Sequence, residues 1–136
     1  GMCTQDMVNK AVDRVNNVAY ILACTSTYPT KPEETNLLYI TTLKKKFSGH
    51  KIGFSNHYNG HEACIMAATL GAECIEFHIT LDRSMYGSDQ AASIENAKSL
   101  VDGIRKTKIL LGDGIKKIYP SEEPIAKKLR KVISLV

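Results

Sequence analysis

Three short apolar runs, set at intervals along the chain and separated by stretches of helical periodicity, constrain this fold most. They are Val18 to Cys24 (VAYILAC), Lys51 to Ser55 (KIGFS) and Glu73 to Ile79 (ECIEFHI). Each is short, apolar over most of its length and rich in β-branched or aromatic residues, the pattern of strands buried on both faces of a parallel sheet. Thr4 to Asn16 places Met7, Val8, Ala11, Val12 and Val15 at helical spacing behind a capping threonine. A second helix is expected over 33–47, with Leu37, Ile40, Leu43 and Phe47 on one stripe. After Asn59 and Gly60 a third runs to about Leu70, ended by Gly71. After a long loop over 80–92, Ser93 is expected to cap a fourth helix over 94–111, with Ala97, Leu100, Val101, Ile104, Lys108 and Leu111 on its inner face. No hairpin signal interrupts this alternation, so the class is α/β, with parallel strands joined by crossover helices. Two architectures fit: a small open sheet, or a stretch of a (β/α)8 barrel.

Composition narrows the function classes. With 43% hydrophobic and 24% charged residues in 136 positions, the chain has enough apolar content for one core and is not a disordered or low-complexity segment. No apolar run approaches the roughly 18 residues needed to span a bilayer, and no secretory leader is visible, so a cytoplasmic protein without a membrane partner is expected. Cys3, Cys24, Cys64 and Cys74 form no C-x-x-C pair and read as free thiols in a reducing compartment. The formal charge of +4 comes largely from helix ends and the tail, in Lys44, Lys45, Lys46, Lys116, Lys117, Lys127, Lys128, Arg130 and Lys131. Basic groups there complement helix dipoles, and without interleaved aromatics they do not argue for nucleic acid binding. The whole chain reads as a single domain whose residues 119–136 form a basic, linker-like tail, helical from Pro124 onward.

The chemistry-bearing residues gather at strand ends. His57 and His78 lie 21 residues apart, one strand–helix repeat, at the carboxyl ends of the second and third strands. Adjacent parallel strands are about 5 Å apart, so equivalent positions can share one ion; the other reading is two unrelated histidines bonded to backbone. Neutral imidazole suits Mn, Fe, Co or Zn. The period of two in a strand puts Ser55 on the face of His57, and Glu76 on the face of His78. Glu76 is read either as an orienting partner for the ligand or as a structural ion-pair residue. Ser26 and Tyr28 share a face at the end of the first strand, and Tyr28 alone reads as a packing residue. Asp89 lies in the long loop, eleven residues after His78. His50 and His61 read as surface or capping residues, and Gly112 to Gly114 lacks the spacing of a phosphate-binding loop.

Taken in order, Cys24 to Thr30 (CTSTYPT), Gly53 to His57 (GFSNH), Ile75 to Asp89 (IEFHITLDRSMYGSD), Leu111 to Lys117 (LGDGIKK) and Pro120 to Glu122 (PSE) resemble the sialic acid synthase family, the N-acetylneuraminate synthases. The resemblance covers nearly the whole chain. It implies part of a (β/α)8 TIM barrel, about strands six to eight, from an enzyme that condenses phosphoenolpyruvate with N-acetylmannosamine or a related N-acyl hexosamine. The products are a nine-carbon 2-keto acid and phosphate. It further implies a divalent cofactor, Mn2+ or Mg2+, held by His57 and His78. Ser55 and Ser26 then face phosphoenolpyruvate, and Tyr28 and Asp89 face the amino-sugar.

Departures from the family pattern are local. Asn56 stands where the family usually has Asp, Phe77 stands where a basic residue usually precedes the second histidine, and the loop Met85-Tyr86-Gly87-Ser88-Asp89 lacks two prolines. The side chains of Asn56 and Phe77 are expected to point away from the ligands. Family members also have five earlier strands and most have a C-terminal antifreeze-like domain, neither visible here, so the fragment alone is expected to be inactive. Two sheet edges and an inner face left open by such a fragment predict a homo-oligomer. The rival readings are a non-catalytic segment that only self-associates, and a stand-alone metal-dependent aldolase or hydrolase with Glu76 as the catalytic base.

Overall fold

The computed structural model of the chain describes residues 1–87 and 93–130. Helix α1 (Gln5–Arg14) starts where the Thr4 side chain accepts a bond from the Met7 amide, and Asp6 and Arg14 sit at the ends that the helix dipole favours. Val8 and Val12 pack on the core, whereas Met7 and Val15 remain more than half exposed.

The strands are β1 (Tyr20–Cys24), β2 (Lys51–Asn56) and β3 (Cys74–Phe77), all parallel, in the order β1-β2-β3. The register sets Leu22 beside Gly53 and Gly53 beside Cys74, then Cys24 beside Ser55 and Ser55 beside Glu76. A Cβ on Gly53 would run into Leu22 and the Cys74 carbonyl, so the middle of the sheet is closed tightly at that layer.

The two faces of this sheet differ. Ile21, Ala23, Ile52 and Phe54 point to one side and are buried against Ile40, Leu43, Ala63 and Ala67 of the covering helices. The isoleucine, leucine and phenylalanine side chains among them each contribute about 1.5–3 kcal/mol when fully buried. The opposite face carries Leu22, Cys24 and Cys74, which are half-buried, and Glu76, which is exposed. Helix α4 (Glu62–Thr69) lies close to the sheet because Ala63, Cys64 and Ala67 are small.

Two expected helices change. The single helix over 33–47 is broken into α2 (Pro32–Thr35) and α3 (Tyr39–Lys46), with Asn36 in the left-handed region at φ 46. Asparagine tolerates that conformation, and the Asn36 and Leu37 carbonyls accept from the Tyr39 and Ile40 amides to restart the helix. The restart turns Ile40 and Leu43 fully inward and leaves Leu38 exposed.

The fourth helix is α5 (Ala97–Leu111), capped by Asn96, whose side chain accepts from the Ser99 amide, and not by Ser93. Ser93 and Ile94 are buried instead. Ile94 pairs with Ile79 as an isolated parallel bridge, donating to the His78 carbonyl at 2.8 Å and accepting from the Thr80 amide at 3.1 Å. A backbone already bonded to the neighbour of β3 is not free to enter a helix. The inner face of α5 is correspondingly shifted: Leu100 and Thr107 are buried, Gly103 sits against Ile65, and Lys108 and Leu111 are exposed.

Residues 119–130 form one 3₁₀ turn at Pro120–Glu122 and helix α6 (Glu123–Leu129), and neither buries a residue. Among the described residues no helix is long and apolar enough to cross a membrane.

Candidate functional site

His57 follows the last residue of β2 and is 5% exposed. Its Nδ1 lies 2.7 Å from the Thr25 carbonyl oxygen. A carbonyl only accepts, so Nδ1 carries the proton and, in the neutral ring, Nε2 keeps the lone pair. The His57 carbonyl accepts from the Thr30 amide at 2.8 Å. Next to it, buried Asn56 clamps the chain: its Nδ2 donates to the Tyr58 carbonyl at 3.0 Å and its Oδ1 accepts from the Tyr58 amide at 3.2 Å.

His78 follows the last residue of β3, and its side chain is 25% exposed. Its Nε2 is 3.5 Å from Glu76 Oε1, while the Ser55 hydroxyl donates to Glu76 Oε2 at 2.6 Å. The two imidazole centroids are 5.1 Å apart. Tyr28, nearly half exposed, lays its ring across both, 4.3 Å from that of His57 and 5.7 Å from that of His78. One ligand-type atom from each of His57, Glu76 and His78 lies within 4.8 Å of the others. Two imidazoles and one carboxylate form a donor set of mixed nitrogen and oxygen that carries one negative charge when the rings are neutral, which suits a divalent ion.

Thus five of the expected residues, Tyr28, Ser55, Glu76, His57 and His78, meet in one cluster, through the register that pairs Ser55 with Glu76. Ser26 lies at its border, with its hydroxyl 3.5 Å from Cys24 Sγ and Gly1 packed against it. Asp89 lies outside the described residues. His61 immediately precedes α4 without making a side-chain cap bond, and His50 meets the edge of the Phe47 ring.

The sequence reading missed three members of this neighbourhood: Cys24, Thr25 and Thr30. Cys24 Sγ is 3.9 Å from His57 Nδ1. Burial pushes its thiol up, but the Ser26 and Ser55 hydroxyls beside it, with the nearby N-terminal amine, outweigh this and hold it below the ordinary range. The run of alternating Thr and Ser gives no local sign of which hydroxyl would turn inward. A groove lined by Pro32, Leu37, Leu38, Tyr58 and Met66 includes none of His57, Glu76 and His78.

The family model described as the NeuB family matches residues 1–116. The chain belongs to the NeuB family. Among its relatives, the N-acetylneuraminate-9-phosphate synthases of Mus musculus and Homo sapiens are each 37% identical over 134 residues. The match takes in 97% of this chain but only 37% of each synthase. The N,N'-diacetyllegionaminic acid synthase of Legionella pneumophila is 36% identical, covering 99% of this chain and 40% of that protein. The solved N-acetylneuraminic acid synthetase of Leptospira borgpetersenii, crystallised with citrate, superposes with a TM-score of 0.76 at 31% identity over 97% of this chain and 49% of that one. The chain therefore spans less than half the length of these NeuB relatives, and its three strands with their helices are a part of the NeuB barrel fold.

The two departures from the NeuB pattern that fall on strands point away from the cluster. Asn56 is fully buried and bonded to Tyr58, and Phe77 packs on the cluster of Cys64, Ile94 and Leu100.

Proposed function

We propose that His57, Glu76 and His78 hold a divalent ion, Mn2+ or Mg2+, in the active site of a sialic acid synthase-type enzyme. That enzyme joins phosphoenolpyruvate to an N-acyl hexosamine such as N-acetylmannosamine, consuming one water and releasing phosphate and a nine-carbon 2-keto acid. The observation that carries this reading is the three-residue cluster at two adjacent strand ends, inside a chain of the NeuB family. When bound, a divalent ion there supplies Lewis acidity toward a carbonyl oxygen.

The chain's own residues divide the remaining work. His57 offers Nε2, because Nδ1 is committed to the Thr25 carbonyl. Glu76 is fixed at Oε2 by the Ser55 hydroxyl, which leaves Oε1 facing His78. The Tyr28 ring covers both imidazoles and excludes water from that side. In this reading Ser55 and Ser26 border the phosphoenolpyruvate site, and Tyr28 and Asp89 the amino-sugar site. Four free cysteines accord with synthesis in the cytoplasm.

The 136 residues alone bind the ion and turn nothing over. Titration with Mn2+, followed by loss of the free-ion electron paramagnetic resonance signal, is expected to show one site in the wild type and none in His57→Ala. No binding by the wild type, or unchanged binding in the variant, overturns the reading. Incubation of the chain with Mn2+, N-acetylmannosamine and phosphoenolpyruvate is expected to release no phosphate, and appreciable turnover overturns the inactivity.

β1 and β3 are both edge strands among the described residues, and edges of this kind invite pairing with another chain. A second copy covers them, in our reading. A strictly monomeric mass by light scattering at micromolar concentration overturns it.

A further inference from the structure

We propose that Thr30 is a positioning residue for His57, holding that histidine at its backbone and at its ring. This deepens the metal-site reading above and rests on it for the identity of the bound ion. At the backbone, the Thr30 amide donates to the His57 carbonyl at 2.8 Å, within the isolated parallel bridge that pairs Thr30 with Tyr58. At the ring, the link runs through one carbonyl. The Thr25 oxygen accepts from His57 Nδ1 at 2.7 Å and also from the Thr30 hydroxyl at 3.2 Å.

The single proton of that hydroxyl is shared with the Thr27 carbonyl, which lies closer at 2.9 Å, and the same oxygen accepts from the Thr27 hydroxyl at 3.4 Å. One buried side chain thereby closes the turn 25–30 and aims the Thr25 carbonyl at the imidazole. Thr30 is 4% exposed, and a hydroxyl buried to that degree is tolerated only where its bonds are made. The consequence for the ring is a choice of tautomer and of orientation. A carbonyl fixed at Nδ1 forces the proton onto that nitrogen and prevents the ring from flipping, so Nε2 is the nitrogen presented to the ion. Tyr28 and His78 touch the ring only by packing, whereas the Thr25 carbonyl distinguishes its two nitrogens, so loosening that carbonyl removes the choice between them.

The tautomer can be read without any metal, from long-range nitrogen–proton correlation spectra of the metal-free chain. The wild type is expected to show His57 protonated at Nδ1. Thr30→Val keeps the backbone amide and the side-chain shape but removes the hydroxyl; it is expected to give a mixture of tautomers and about 10-fold weaker Mn2+ binding. Thr30→Ser restores both. A merely structural role would lower the melting temperature of Thr30→Val and leave tautomer and affinity as in the wild type, and that result overturns the proposal.

A wild-type His57 protonated at Nε2 overturns it too, with no variant needed if Thr30→Val does not fold. Should the wild type bind no Mn2+, the metal reading falls, and the tautomers of the wild type, Val and Ser chains still decide the role of Thr30.

Discussion

The ends of β2 and β3 carry matching histidines, yet the two ends are built differently. β2 is the central strand, paired on both sides, and its end is tied down by Asn56, by the Thr30 amide and by the Thr25 carbonyl. His57 is 5% exposed there. Among the described residues β3 is an edge strand of four residues, continued by the bridge from Ile79 to Ile94, and the His78 side chain is 25% exposed. A cluster spanning the two therefore has one histidine buried behind the central strand and one more exposed behind the edge strand. The difference follows from sheet position: a central strand has its backbone groups paired on both sides, so its end residues inherit a fixed frame, whereas an edge strand has half as many such partners.

The contrast breaks most visibly in the core beneath the strands. Phe54→Ala in β2, where the ring is 2% exposed, is expected to cost about 3–5 kcal/mol in urea unfolding. Phe77→Ala in β3, where the ring is only half-buried, is expected to cost about half as much on the same scale. Equal losses would erase the distinction between central and edge strand.

A smaller effect is expected at Asn56. Asn56→Asp brings in the acidic residue usual in the family, but an ionised carboxylate cannot donate to the Tyr58 carbonyl, so a cost of about 1–3 kcal/mol is expected at neutral pH. Stability unchanged from the wild type would mean that the clamp at the end of β2 does not matter.

On the β3 side, Glu76→Gln keeps an acceptor for the Ser55 hydroxyl and removes the charge facing His78. Mn2+ affinity is expected to fall about 10-fold, or roughly 1.4 kcal/mol, with little change in melting temperature because Glu76 is exposed. An unchanged affinity would reduce Glu76 to a hydrogen-bond partner of Ser55.

The smallest effect comes from the helix under the edge strand. Burial, with the Glu76 and Glu62 carboxylates adding to it, pushes the Cys64 thiol from 9.0 up to about 12. The folded chain then keeps this proton where the unfolded chain loses it. Its contribution is complete below about pH 8 and is lost as pH climbs from 9.0 toward about 12. Between pH 8 and 10 the loss is about 1 kcal/mol, and Cys64→Ala is expected to flatten that slope in paired urea melts.

Much of the frame was open to inspection in the sequence. The apolar runs marked all three strands to within two residues at each end, and the spacing of His57 from His78, with Ser55 and Glu76 at the same offset, placed four of the cluster's side chains on one face. Residues whose conformation depends on distant partners were not readable. The stripe of Leu37, Ile40, Leu43 and Phe47 looks continuous through Asn36, and only the packing against the sheet shows that Ile40 and Leu43 enter the core after a left-handed break. Ser93 looks like a helix cap, but the amide and carbonyl of Ile94 are already taken by Thr80 and His78. Tyr28 read as packing by itself, whereas its ring spans two histidines supplied by other strands.

By itself the sequence determined the α/β class, the order of elements and the register-compatible histidine pair. These follow from local periodicity: side chains alternate in a strand and recur at helical spacing whatever else surrounds them. Only the tertiary structure decided which nitrogen of His57 is free, that Ser55 fastens Glu76, and that Thr30 closes the turn above them. Each of those depends on satisfying a buried donor or acceptor with a partner brought from elsewhere in the chain, and no local pattern encodes which partner arrives.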